Sequence, residues 1–461
     1  MKKTIAATLF AILLIGSALP ATAETLNEAL AVAYQTNPDL EARRAALRAA
    51  DEGVIRATTG FLPSVTGNGN FTKQNRVTLQ TSSLGSSRSD TTTFNKFYEA
   101  RIDQSLFRGL QTLNEKRRTK SLVYAARSQL TSTEQTVLLD AVTAYMDVVR
   151  DEAVLRLREN NVEVLTRQLE ATRDRFRVGE ITRTDVAQAE ARLAGAVSDR
   201  IIASGDLAAS RARYRQVVGQ QPGSLENPEV PDLPANLDDA LERAAGANPE
   251  IAIARHSEKA AGYEVSKAAG ALSPTVDAFA TINRFTGQAA FGAVTVDIGT
   301  TTKAIGVQVK VPFYQGGAEY SDIRRAKQLR SQRRLEVAST RRRIRSEVRT
   351  AWELYRAAVS SIASTRTQVH ANEVALEGVR QESSVGSRTT LDELDAEQEL
   401  LDSRVQLVRA KRNEIVTAYS LMSAVGALTA KALNLPVDEY DPEHYYRRVR
   451  HKLFGWGTGN D

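Results

Sequence analysis

The chain has 461 residues, a formal net charge of +6, 25% charged residues and no cysteine. That length carries a large core or several domains, and the 27 Gly and 12 Pro are too few for a disordered chain. The modest positive charge points to no nucleic-acid partner, and the lack of cysteine excludes both disulfide support and an acyl anchor on an N-terminal cysteine.

Residues 1–23 have the pattern of a secretory signal. Lys2 and Lys3 form a charged start, an apolar run spans Ile5 to Ile15, and Ala21-Thr22-Ala23 suits cleavage, so the mature chain is expected to begin at Glu24. No later run reaches the roughly 18 apolar residues that a spanning helix needs. A membrane crossing by this chain must therefore use strands.

A helical stretch is expected from Leu26 to Thr59, stopped by Leu62-Pro63. Strand signals follow in 64–71 and again where Tyr98, Ala100, Ile102 and Leu106 alternate with Glu99, Arg101, Asp103 and Ser105. The Ser/Thr-rich interval Thr72 to Asn95 is expected to be a loop. From Gly109 to Phe176 there is neither proline nor interior glycine, and apolar positions recur at helical spacing. A helix of that length is on the order of 100 Å long, the scale of a coiled-coil wall.

Val178-Gly179 then marks a tight reversal, with Thr184 and Asp185 of helix-capping type before a shorter helix to Val218. After a Pro- and Gly-containing join at 220–235, the whole pattern returns. Asn248-Pro249 answers Asn37-Pro38. Val276, Ala278, Ala280 and Ile282, and later Ile305, Val307, Val309 and Val311, supply two more alternating strands. A long helix from about Ala318 to Val379, the turn Val385-Gly386 and a helix from Asp392 to Val425 complete it. Tyr145, Val178, Asp185, Glu190 and Leu193 recur as Trp352, Val385, Asp392, Glu397 and Leu400 at a constant offset of 207, the interval from Val178 to Val385. The chain is a tandem duplication with repeats at 24–219 and 236–433, and a tail at 434–461 to which the sequence gives no role. The fold class is mainly α with a small β part. Four strands cannot close a barrel, and hydrocarbon does not tolerate open sheet edges, so several copies must share one.

On the segments Arg175 to Val186 and Val385 to Ala396, the signal, the duplication and the two strand pairs, the chain resembles the TolC family of outer-membrane efflux and secretion ducts. The resemblance implies a homotrimer with a shared 12-stranded β-barrel in outer-membrane lipid and a periplasmic α-barrel. It also implies a periplasmic adaptor and an inner-membrane ABC or RND-type pump as partners. The equivalents of Thr184, Asp185 and Arg388 then form a latch between neighbouring protomers. Asp392 and Asp395 become an acidic constriction, and the turns Val178-Gly179 and Val385-Gly386 become adaptor-docking points. Ser383 stands where well-described members carry an aromatic latch residue, which implies a weaker closed state.

Competing readings attach to these residues. Thr184, Asp185, Thr390 and Asp392 are ordinary helix caps, worth about 1 kcal/mol each, whether or not they also gate a tunnel. The region Ile323 to Arg349, with eleven basic and two acidic residues, is a solvated helix face or one meeting anionic cell-wall or lipid groups; no aromatics interleave to stack on bases. His256 and His370 lack metal-ligand spacing, and no nucleophile, base and orienter come together, so no cofactor and no enzyme is expected. A periplasmic coiled-coil scaffold without a pore is the alternative, which accounts for the helices but not for the strands.

Overall fold

The computed structural model describes residues 24–291, 294–452 and 454–458; the expected signal at 1–23 lies outside them. Helices α1 (Leu26–Thr36) and α2 (Pro38–Thr58) precede strands β1 (Ser64–Ser82) and β2 (Gly85–Arg108), followed by α3 (Gln111–Arg177) and α4 (Arg183–Val218). The second repeat gives α5 (Leu237–Ala247), α6 (Pro249–Ala269), β3 (Thr275–Phe291), β4 (Val294–Lys310), α7 (Ala318–Ser384) and α8 (Thr390–Val425). A short α9 (His444–Val449) lies in the tail. The duplication is visible in element lengths: 11 and 11 residues for α1 and α5, 21 and 21 for α2 and α6, 67 and 67 for α3 and α7, 36 and 36 for α4 and α8.

Two expectations are corrected. The stretch Leu26 to Thr59 is two helices, broken at Asn37, whose backbone is extended (φ −67°, ψ 122°) because Pro38 disfavours a helical residue before it. The Asn37 side chain uses the break: Oδ1 accepts from the Asp39 and Leu40 amides at 3.0 and 3.4 Å, and Nδ2 donates to the Val217 carbonyl at 3.0 Å. Asn248 before Pro249 repeats the arrangement, accepting from the Glu250 amide at 2.9 Å. The second correction concerns Thr72 to Asn95, which is not a loop. It is the outer half of a β hairpin, paired continuously from Ser64↔Asp103 to Ser82↔Gly85. Threonine is β-branched and suits a pleated surface, so a Thr-rich polar run carries strand propensity that its polarity conceals.

The chain divides into two compact units. One comprises residues up to Glu41, Glu134–Ala244 and Glu347–Glu439. In it Tyr145 and Tyr214 are fully buried, their rings 6.4 Å apart, and the Tyr145 hydroxyl donates to the carbonyls of Glu24 and Glu226 at 2.8 Å each. Burial raises both phenol pKa values, so the hydroxyls act as fixed donors.

The other unit comprises Ala42–Thr133, Ala245–Ser346 and the residues from Tyr440. It holds one antiparallel sheet in the order β1-β2-β3-β4, whose outer strands β1 and β4 have no second neighbour among the described residues. One row runs Val65, Ile102, Ala280, Ile305 across all four strands, with Val65 71%, Ile102 45% and Ile305 88% exposed. The next row, Thr66, Arg101, Thr281, Ala304, faces the other way and carries the charge. Where the sheet meets the helices, Gly109 and Gly270 cross so closely that a Cβ on either would lie 2.2 Å from the other's carbonyl oxygen. No side chain fits at either position.

The tail from Tyr440, whose role is not legible in the sequence, packs in this unit on α2 and α3. Glu443 pairs with Arg127, Tyr445 donates to Glu52 at 2.8 Å, and the Arg44 guanidinium lies 5.0 Å from the Tyr440 ring centre. Asp51 is fully buried beside these contacts with no hydrogen bond to either carboxylate oxygen. Burial pushes its pKa up to about 6 against the pull of Arg127. Among the described residues no helix is long and apolar enough to cross a membrane.

Candidate functional site

The two Val-Gly turns are built alike. α3 and α7 each end in a glycine with φ +78°, Gly179 and Gly386, a left-handed conformation that glycine adopts without strain. The next helices start on capping boxes that the sequence placed two residues or one residue too late. Thr182 and Thr389, not Thr184 and Thr390, are the N-caps. Thr184 lies inside α4 and Thr390 is the first residue of α8, so neither is the cap.

Asp185 and Asp392 close those boxes. Oδ2 of Asp185 accepts from the Thr182 amide and hydroxyl, both at 2.8 Å. Oδ2 of Asp392 accepts from Thr389 in the same way, at 2.9 and 2.7 Å. These bonds to Thr182 and Thr389 hold both carboxyls below the usual carboxylate range, so both are ionised at neutral pH. In each box Oδ1 has no partner among the described residues, so a charged oxygen remains for a contact outside the turn.

Arg388 is half exposed and donates from Nε to Glu382 at 2.9 Å. Its own chain thus supplies a carboxylate, and the residues expected to receive it, Thr184 and Asp185, are not in contact with it within one chain. Asp395 pairs with Arg192 of α4, and Gln168 of α3 donates to Glu393 at 3.4 Å. Together with the apolar cluster Leu165, Ala196 and Leu394, these contacts fasten the second hairpin to the first. Asp392 and Asp395 are therefore one turn apart on α8 but differently engaged, one in a cap and one across to α4. Val178 and Val385 project at the turns, 78% and 80% exposed.

Sequence reasoning missed Arg192, Glu382 and a repeated ion pair. Arg173 meets Glu190 at 2.7 Å in the first hairpin, and Arg380 meets Glu397 at 2.6 Å in the second. Both members are shifted by the repeat offset, so the duplication itself held the signal. The copies differ in setting: Glu190 is 49% exposed, whereas Glu397 is 7% exposed and its pKa is raised by burial. His256 stacks at 5.4 Å on Tyr124 in the sheet-bearing unit, and burial lowers its pKa.

The chain matches the model of the family described as outer membrane efflux protein over residues 29–220 and 240–427, one match in each repeat. It is 36% identical to the outer membrane efflux protein BepC of Brucella suis over 97% of this chain and 96% of that protein. The chain belongs to the TolC family. The outer membrane protein TolC of Escherichia coli is itself 26% identical over 89% of this chain and 84% of TolC. Among solved structures, the Campylobacter jejuni CmeC outer membrane channel superimposes with a TM-score of 0.76 at 14% identity, over 92% of this chain and 89% of CmeC. As a TolC-family protein the chain is an outer-membrane efflux or secretion channel with a periplasmic part.

Proposed function

We propose that three copies of this chain form one passive exit duct, docked at its periplasmic end to an adaptor and through it to an energised inner-membrane pump. The observation that carries the reading is the four-stranded sheet with an exposed apolar row on one face, charge on the other and both edges unpaired. In hydrocarbon each unpaired backbone group costs several kcal/mol, so the sheet requires neighbours on both sides. Three copies give twelve strands and a bore lined by the charged rows. The chain has no nucleotide-binding motif, which leaves the driving energy to a partner.

At the turns, the free Oδ1 of Asp185 is the acceptor we assign to Arg388 of a neighbouring copy. Asp392 and Asp395 then lie close to the axis as an acidic constriction. The turns Val178-Gly179 and Val385-Gly386 are the adaptor's landing points, because the backbone there is open: nothing lies within 4 Å of a Cβ built on Gly179 or Gly386.

The mass of the intact detergent complex tests the copy number, and heat-modifiable migration with conductance in planar bilayers tests the duct. A trimer mass and stable pores are expected. A protein soluble without detergent that makes no pores would overturn the reading in favour of a scaffold.

A further inference from the structure

On α7, Arg330 meets Glu258 of α6 at 3.2 Å and Ala326 and Ile344 are buried, so these positions mark the side of α7 turned to α6. At 100° per residue, Arg324, Lys327, Arg334, Arg341, Arg342 and Arg345 all fall on one flank of that side, within a sector of roughly 100°. All six are exposed and none makes an ion pair among the described residues. The basic residues outside the sector behave differently. Arg325 pairs with Asp322, Arg330 with Glu258, Arg333 with Glu336 and Arg343 with Glu250. Every acidic residue of this stretch lies on the opposite flank or beyond, so the six cations form an acid-free stripe about 30 Å long.

The packing of α3 tells which way the stripe faces. Arg127 of α3 meets the tail, whereas Gln111, roughly 160° away on the same helix, lines a groove with Glu264 and Lys267 of α6 and Asp322 and Arg325 of α7. Tail and groove therefore lie on opposite faces of the layer formed by α3, α6 and α7. The stripe is on the α7 flank away from Asp322 and Arg325, hence on the tail's face. In the duct reading, on which this step rests, that face is the outer one, since the tail on the inner face would fill the bore.

We propose that this flank of α7 is a docking surface for the carboxylate-bearing polymer of the cell wall. Six unneutralised cations in a line fit a linear polyanion, each new contact adding Coulomb attraction at little ordering cost. A lipid surface fits less well: the positions between the cations are Ser331 and Ala338, and the exposed Tyr320 and Leu335 beside them are too few and too far apart to form an apolar face that enters acyl chains. Nucleic acid lacks stacking aromatics here.

The test is sedimentation of the detergent-purified full-length protein with isolated cell-wall sacculi. The parent should co-sediment at low salt and be released by about 0.5 M NaCl, where the Debye length falls to a few ångströms. The triple variant Arg334→Glu, Arg341→Glu, Arg345→Glu should bind at least tenfold more weakly while keeping its helical circular dichroism and its pores. The variant Arg325→Glu, Arg333→Glu, which alters the other flank, should bind like the parent. Equal binding by the triple variant, equal loss in the other-flank variant, or undiminished binding to sacculi with amidated carboxylates overturns the proposal. So does binding to phosphatidylglycerol vesicles but not to sacculi. Absence of pores in the parent counts instead against the duct reading, and the sacculus result is then read separately.

Discussion

Replacing Arg388 by serine should open the periplasmic end. Within one chain Arg388 bonds to Glu382, but both side chains are about half exposed, at 50% and 53%, so solvent screens that pair and it holds Arg388 only weakly. A guanidinium on Asp185 Oδ1 of a neighbouring copy, in a constriction partly closed to water, contributes about 1.5 to 3 kcal/mol. The gain per copy is then on the order of 1 to 2 kcal/mol, and three copies shift the closed-to-open ratio by roughly 10² to 10⁴. Single-channel recording reads this directly. Arg388→Ser and Asp185→Asn should each raise the open probability, and the double variant should add little, because both remove one contact. Asparagine is preferred to alanine at 185 because its carbonyl still accepts from Thr182, sparing the cap. Glu382→Gln should act in the opposite direction by releasing Arg388 from its intrachain competitor. Unchanged conductance in both single variants would refute the latch, leaving Asp185 as a helix cap and Arg388 as a solvated turn residue.

Other outcomes are expected. Gly179→Leu and Gly386→Leu force a side chain into a φ of +78°, a cost of about 1 to 2 kcal/mol each that a trimer tolerates, so export should be lost while the heat-modifiable oligomer persists in the membrane. Export surviving both would place docking elsewhere. Asp51, with a folded pKa of about 6, above its unfolded value, holds more protons folded than unfolded, so stability falls as pH rises from about 4 to 6. Asp51→Asn should flatten that dependence and raise the melting temperature at pH 7.5, corresponding to about 1 to 3 kcal/mol, in thermal scans followed by circular dichroism. Gly270→Ala should lower oligomer yield on gels, since its Cβ would lie 2.2 Å from the Gly109 oxygen.

The long helices were legible because nothing in 111–177 or 318–384 interrupts them: no proline, and few positions where the chain prefers to turn. The duplication exposed both hairpin turns, and their glycines took the left-handed backbone that their place after a helix implies. What stayed hidden depends on partners distant in sequence. Thr182 and Thr184 are the same residue type, and only the reach of Asp185 back to the Thr182 amide decides which one caps. Arg192 is one of many surface arginines until folding sets it against Asp395. The outer halves of β1 and β2 were masked by composition, since a strand rich in Thr, Ser and Asn has too few apolar residues for their alternation to stand out. The basic run of α7 was countable from sequence, but its division into paired and unpaired flanks appears only once Glu258 and Glu250 of α6 are in place.

The unpaired strands β1 and β4 also govern the order of events in time. In the duct reading, a lone chain that entered the bilayer would bring two rows of unsatisfied amides and carbonyls with it, so association is expected to come before insertion. On that reading subunits meet in the periplasm or at the membrane surface, and the rate of appearance of inserted protein should rise more steeply than linearly with chain concentration. Until then each sheet edge is a template for the wrong neighbour, which makes the newly exported chain dependent on dilution or on an escort that covers its edges.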